Sequence, residues 1–192
     1  MIDYIILSFL CVIYFGLHSL LASHKVKSWV PLPSPYYRLA YSLIAIITLA
    51  PIALYLVSVP TIQLWSSHTL NRFFGLMLAT YGIILIQRTF RYYSFKEFMG
   101  FKSELVDKHL ITEGVFQYVR HPLYTATFLL SWGYVLYSPT LASLVSMIWI
   151  NLYLLIGTKL EEKKLIEEFG NEYKEYQKNV PAFFPRKFPF KG

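Results

Sequence analysis

The chain has 192 residues, 55% of them hydrophobic and only 15% charged, with a formal net charge of +7. Soluble domains carry about a quarter charged residues, so this composition, with apolar runs of about twenty residues, excludes an ordinary soluble globule and reads as an all-α integral membrane protein. The excess of cations does not point to nucleic acid, because they fall between the apolar runs, where membrane topology places them; the length sets a single domain as the starting expectation.

Five spans follow in chain order. The first runs from about Ile2 to Ala22. Its Cys11, the lone cysteine, cannot form an intrachain disulfide and reads as a small buried apolar residue. Asp3 and the lack of a basic leader argue against a cleaved signal peptide. His18, near the end of this span, either lines a polar cavity, as ionisable groups inside bilayers do, or simply reaches the interface with Ser19. A basic loop with Lys25, Lys27 and Arg38 is interrupted by Pro31, Pro33 and Pro35. The second span runs from about Tyr37 to Val57, with a kink expected at Pro51. A short connection from Val59 to Thr69 carries no Lys or Arg. The third span starts at Asn71 and ends near Gln87; Gly75 and Gly82 in it read as close-packing positions, as does Gly133 in the fourth.

The longest polar segment, Arg88 to His121, precedes the fourth span, Pro122 to Tyr137. Pro122 suits the first turn of a helix, where its missing N–H costs nothing. Ser138-Pro139-Thr140 makes a tight turn into the fifth span, Leu141 to Thr158. Beyond it, Leu165, Phe169, Tyr173 and Tyr176 recur at helical spacing, which predicts an amphipathic helix along the membrane surface, broken or bent at Gly170-Asn171. Val180-Pro181-Ala182-Phe183-Phe184-Pro185 cannot be regular helix, and its aromatics are expected at the interface, where they can cover a site as a lid. Of the 18 Lys and Arg, only Arg72 falls on the side opposite the rest. That bias predicts an outside N-terminus and a cytoplasmic C-terminus.

Spans four and five form a closing helical hairpin. At about 1.5 Å per residue they rise roughly 24 Å and return roughly 27 Å, so their cytoplasmic ends lie side by side. That brings Arg120 and His121 near Glu161 and Glu162, with the Tyr124 hydroxyl one turn up span four. A cation, an imidazole, a phenol and two carboxylates beside an apolar wall suit a zwitterionic ligand with an aromatic part. The backbone from Lys108 to Gly114 can offer N–H and C=O groups to a flat ring, with Gly114 free to take positive φ. A metal site lacks its usual clustered His/Cys spacing, and a Ser/His/Asp hydrolase lacks its G-x-S-x-G elbow. The same charges also read as an inside-positive anchor and the first turns of a solvated helix.

At these residues the chain resembles the isoprenylcysteine carboxyl methyltransferase superfamily of membrane methyltransferases. The matching pattern is His109-Leu110-Ile111-Thr112-x-Gly114, Val119-Arg120-His121-Pro122-x-Tyr124, Glu161-Glu162, Glu168-Phe169-Gly170-x-Glu172-Tyr173-x-x-Tyr176 and Val180-Pro181. The resemblance covers about Phe101 to Pro185 and implies S-adenosylmethionine as methyl donor, held at the cytoplasmic mouth of the last two spans. By position it implies cofactor contacts at His109, Leu110, Ile111, Phe116, His121, Pro122, Tyr124, Glu161 and Glu162, with Arg120 and Tyr124 catalytic: Arg120 and His121 on the carboxylate end of the donor, Glu161 on its hydroxyls or ammonium, Tyr124 by the reacting methyl. The implied plan is one domain over 1–192, with three spans in 1–90 and the cofactor loop, hairpin and C-terminal lid in 91–192.

Two departures bear on substrate. The prenylcysteine enzymes have an arginine where this chain has Gly157, and a tyrosine where it has Phe116. The first argues against a prenylcysteine carboxylate. Phe15-Gly16-Leu17-His18-Ser19-Leu20 and Phe98-Met99-Gly100-Phe101-Lys102 are similar to a bacterial branch that includes NnrU-like proteins and thiol S-methyltransferases. The expected acceptor is a small or lipophilic molecule entering from the bilayer, a thiol ahead of a lipophilic carboxylate or a phospholipid amine. The expected location is a bacterial inner membrane, with membrane lipids as partners and no nucleic acid. A non-enzymatic transporter or assembly factor would use the same spans, with its basic segments on lipid head groups.

Overall fold

The computed structural model describes residues 1–101 and 109–186; Lys102 and Lys108, singled out above, lie outside them. The regular elements among the described residues are all helices: α1 Ile2–Leu21, α2 His24–Trp29, α3 Ser34–Ser58, α4 Thr69–Thr89, α5 Phe95–Met99, a 3-10 turn Gly114–Gln117, α6 Pro122–Tyr137, α7 Leu141–Phe169 and α8 Asn171–Asn179. Among them α1, α3, α4 and α7 are long and apolar enough to cross a membrane. The fourth expected span, α6, has the anticipated boundaries, but its 16 residues rise only about 24 Å, short of a hydrocarbon core of about 30 Å. α3 keeps Pro51 inside it, as expected, and runs to Ser58. Two other expectations shift: α4 begins at Thr69 rather than Asn71, and the amphipathic stretch after Thr158 begins as an extension of α7 itself. Gly170, at φ 59°, then separates α7 from α8.

The chain divides into two compact units. Among the described residues, the first gathers 1–66, 94–101 and 139–149. Its core is Tyr4, Leu7, Cys11, Val59 and Ala142, with Phe15, Ile52, Tyr55 and Trp149 packed around them. Cys11 is a free thiol in that core. Backbone groups at the ends of its helices and in its connections find partners from distant parts of the chain, as buried backbone groups require. The Tyr4 hydroxyl donates to the Pro60 carbonyl at 2.6 Å, and the Leu141 N–H donates to Ile62 O at 2.8 Å. Thr140 and Ser143 cap the start of α7 reciprocally, each side-chain oxygen accepting from the other's backbone N–H at 3.1 Å, the logic of a capping box.

The second unit gathers 67–93, 109–138 and 150–186. Here α4 packs on α6 through small residues. A Cβ at Gly75 would sit 2.6 Å from the Gly133 carbonyl oxygen and 2.9 Å from the Tyr137 nitrogen, and a Cβ at Gly82 would sit 3.0 Å from the Ala126 carbonyl. In lipid, where apolar burial supplies no net attraction between helices, such backbone approach is what holds them together. Gly114 takes φ 59°, and a side chain there would overlap the Tyr92 ring, so the turn leading to α6 is seated directly on the residues that follow α4.

Gly75→Ala is therefore expected to destabilise the protein. Alanine gains about 1 kcal/mol of helix propensity over glycine, but the obstructing atoms are backbone and cannot rotate away, so overpacking of about 1–3 kcal/mol wins. Gly16→Ala in α1, where nothing lies within 4 Å of the new methyl, is the control and should be neutral or stabilising. Thermal melts of both variants in one detergent test this; equal melting temperatures would remove the close α4–α6 approach.

Candidate active site

The site lies wholly within the second unit. His121 is the N-cap of α6 and Pro122 its first residue; both are buried. Pro122 fixes where the helix begins, and with it the direction in which the two residues before it project. Facing them is the polar extension of α7, past the apolar run that ends at Thr158. The apolar part of the pairing is held at mid-length, where the Ser131 hydroxyl meets Asn151 Oδ1 at 3.2 Å.

At the polar end the guanidinium of Arg120 is fully engaged. Its Nε donates to Glu162 Oε1 at 2.9 Å and its Nη2 to the same oxygen at 2.5 Å. Its Nη1 donates to the backbone carbonyls of Gln177 and Val180. The Arg120 and Glu162 side chains are only 11% and 18% exposed, so the pair is shielded from solvent screening. The C-terminal segment is bound to the same place by backbone hydrogen bonds: Arg120 N–H to Pro181 O at 2.9 Å and His121 N–H to Ala182 O at 3.0 Å. The Thr125 hydroxyl donates to Phe183 O at 2.9 Å. These bonds satisfy N–H groups at the start of α6 that no helical partner reaches. The Phe183 ring covers His121 at 6.1 Å and meets Phe128 edge-on at 5.0 Å.

His121 stands between the two carboxylates, Nε2 3.1 Å from Glu162 Oε1 and Nδ1 3.6 Å from Glu161 Oε2. Its ring stacks on Tyr124 at 5.5 Å and 15°. Burial works against ionisation of Glu161, but the hydrogen bond and charge of His121 and the hydrogen bond from Tyr124 outweigh it and hold the carboxyl below its ordinary value. Glu162 behaves likewise: burial opposes, while bonding to Arg120 and His121 prevails. The positive end of the α6 dipole favours both anions. The two differ in access, Glu161 being 45% exposed where Glu162 is 18%. By side-chain exposure Glu161 is the more accessible of the two and Glu162 the more enclosed, the latter serving as counter-ion to Arg120, while the Glu161 carboxyl is itself crowded enough by its surroundings for burial to oppose its charge. One turn before it, a Cβ at Gly157 would stand 3.6 Å from the Tyr124 hydroxyl, so glycine leaves that side of the phenol clear.

Of the residues expected from sequence, the fold brings together Arg120, His121, Pro122, Tyr124, Glu161 and Glu162. Phe116 lies in the 3-10 turn, its carbonyl accepting from the Tyr176 hydroxyl at 2.5 Å. His109 is exposed and Leu110 and Ile111 are half-buried in irregular chain; among the described residues no hydrogen bond or ion pair joins these three to the charged cluster. Site residues that sequence reasoning did not assign are Thr125, Gln177 and Tyr173. Gln177 acts through its carbonyl, for which a sequence carries no signal. Tyr173 and Tyr176 are legible in the sequence as helical spacing and as positions of the family pattern, but with no role at the site. Tyr173 is 1% exposed and its hydroxyl makes no hydrogen bond of normal geometry; burial first, then the negative charge of Glu162, raise its pKa against the opposing pull of Arg120.

The pattern that defines the phospholipid methyltransferase family matches residues 70–172, from the start of α4 through both glutamates. The chain belongs to that family. It is similar to a methanethiol S-methyltransferase of Pseudomonas deceptionensis, 32% identical over 185 residues, covering 88% of this chain and 67% of that protein. A methanethiol S-methyltransferase of Crocosphaera subtropica is 28% identical, covering 88% and 69%. The protein-S-isoprenylcysteine O-methyltransferase of Mus musculus is 36% identical over 86 residues, covering 44% and 30%. The chain is therefore a methyltransferase, and its long apolar helices make it an integral membrane one.

Two outcomes are expected from the charged cluster. Glu162→Ala strands a buried guanidinium and should cost about 3–5 kcal/mol, whereas the paired change Arg120→Met with Glu162→Leu should cost much less; chemical denaturation of both in detergent decides. Because both carboxyls have lowered pKa values, their contribution to stability is complete above the ordinary value of 4.5 and is lost as pH falls through the lower folded values. Hydrogen exchange of the backbone from Val180 to Phe183, corrected for the intrinsic exchange rate at each pH, should therefore show protection above the carboxylate range that is lost in a sample held below it. Unchanged exchange at pH 3 would mean that the ion pair does not hold this segment.

Proposed function

We propose that the protein is an S-adenosylmethionine-dependent methyltransferase whose acceptor is a small lipophilic thiol. The observation that carries this reading is the more accessible Glu161 carboxylate, held ionised between His121 and Tyr124 at the mouth of α6. The cofactor's chemistry fits these residues: its cationic ammonium and sulfonium groups suit an accessible carboxylate, and its adenine suits the half-buried apolar surface of Leu110, Ile111 and Phe116. When bound, S-adenosylmethionine supplies a methyl group activated by the sulfonium. The protein has to orient, exclude water and leave room, and such positioning accounts for much of the acceleration available. Glu161 binds the donor. Tyr124, oriented by its bond to Glu161 and by stacking on His121, faces the reacting centre. Arg120, all of whose nitrogens are engaged, holds the site's shape rather than touching the reacting atoms, and Phe183 shields His121.

For the acceptor, Gly157 offers no cation beside Tyr124 for a carboxylate. The methanethiol S-methyltransferases of Pseudomonas deceptionensis and Crocosphaera subtropica each match 88% of the chain, whereas the protein-S-isoprenylcysteine O-methyltransferase of Mus musculus matches 44%. In this reading α6 is a fifth crossing, the membrane is a bacterial inner membrane, and the Lys/Arg bias puts the N-terminus outside and the site in the cytoplasm.

Purified protein incubated with methyl-labelled S-adenosylmethionine and a panel of alkane thiols, lipophilic acids and phosphatidylethanolamine vesicles should place label in a thioether. Label in a base-labile ester or in lipid would overturn the thiol assignment, and no label together with no calorimetric donor binding would overturn the enzyme. Glu161→Gln should weaken donor binding at least tenfold while leaving the free protein folded, with only a modest fall in melting temperature from the lost contacts of the charge to His121 and Tyr124; unaltered titration heat would remove Glu161 from the site.

A further inference from the structure

Helix α8 reaches the site through two consecutive residues, and the two contacts go to different parts of it. The Gln177 carbonyl accepts from Arg120 Nη1 at 3.1 Å, inside the charged cluster. The Tyr176 hydroxyl donates to the Phe116 carbonyl at 2.5 Å, in the 3-10 turn that carries the half-buried Phe116 ring. Both contacts lie within the second unit.

The second contact exists because of the way the chain leaves that turn. A carbonyl at the end of a helical turn lacks a partner unless the N–H three or four residues on returns to it. For Phe116 those are the N–H groups of Val119 and Arg120. The Val119 N–H goes to Val115 O at 3.3 Å, and the Arg120 N–H to Pro181 O at 2.9 Å. The Phe116 carbonyl is left to a side chain, and Tyr176 supplies it. Tyr176 is 9% exposed, and its ring meets that of the buried Tyr173 edge-on at 5.9 Å, so it has little room to turn its hydroxyl elsewhere. Burial raises the Tyr176 pKa, so the hydroxyl keeps the proton that it donates.

Residues 118–121, between the turn and α6, are not regular helix. No ladder of their own sets the distance from Phe116 to the charged cluster. α8 sets it, with one residue on each side of the gap.

We propose that Tyr176 is a positioning residue for the methyl donor. It holds the turn that offers Phe116 to the adenine at a set distance from the charged cluster that takes the amino-acid end. The inference rests on the reading of this site as one for S-adenosylmethionine. A ligand that must reach both parts at once binds more tightly when their spacing is fixed beforehand. Loss of the bond should therefore appear as lost donor affinity in every folded molecule.

Calorimetric titration of purified Tyr176→Phe with S-adenosylmethionine tests this. The ring and its packing on Tyr173 remain, and only the hydroxyl is removed. Kd should rise about fivefold, the weight of one neutral hydrogen bond, at the stoichiometry of wild type. A lower stoichiometry at unchanged Kd would mean that Tyr176 serves folding alone, and an unchanged Kd at unchanged stoichiometry would mean that the turn is held without it. Either result overturns the inference and leaves the donor site standing. No binding by wild type would overturn both. Should Tyr176→Phe fail to fold, hydrogen exchange on wild type decides: the donor should raise protection of the amides of 114–119 and of α8 together, and protection confined to the turn would overturn the coupling.

Discussion

The ion pair between Arg120 and Glu162 is the contact on which the arrangement of the site depends. It joins three segments distant in the chain: the residue two before α6, the polar extension of α7, and the backbone that follows α8. A buried pair of this kind is not a large net source of stability, since desolvating two charges offsets most of their attraction. Its effect is on uniqueness. A guanidinium with donors directed at a carboxylate on one side and at two carbonyls on the other admits few alternative geometries, and a half-made version would leave a charge buried without its counter-ion.

That constraint separates two glutamates that are neighbours in sequence. Consecutive residues on a helix project about 100° apart, so only one of them can face Arg120. Glu162 turns inward and becomes the counter-ion. Glu161 turns toward the accessible side, where His121 and Tyr124 keep it charged. The same carboxyl chemistry therefore serves structure at one position and ligand binding at the next, and the difference is one of helical phase.

The site is carried on a scaffold whose own cohesion is of another kind. α4 and α6 meet where glycines bring backbone against backbone, which places the start of α6 with little freedom to shift. Pro122 then determines where that helix begins, and the strap from Val180 to Phe183 supplies acceptors for the N–H groups of Arg120 and His121. Each device is local, but together they hold one imidazole between two carboxylates.

Much of this was legible from the chain alone. Apolar runs of membrane length, the proline at the head of α6, the glycine pairs and the bend at Gly170 follow from period, hydropathy and backbone preference, which depend on neighbours in sequence. The proximity of Arg120 and His121 to the two glutamates follows from hairpin length. What the tertiary structure decided is everything that depends on side-chain direction and on main-chain partners: that Arg120 is saturated by Glu162 and the carbonyls of Gln177 and Val180, that Glu161 rather than Glu162 is the more accessible, that Tyr173 is sealed beneath the pair, and that α7 continues unbroken past its apolar run. A sequence specifies which groups a residue carries. Which neighbour each group meets, and whether water still reaches it, is set only when segments tens of residues apart are packed together.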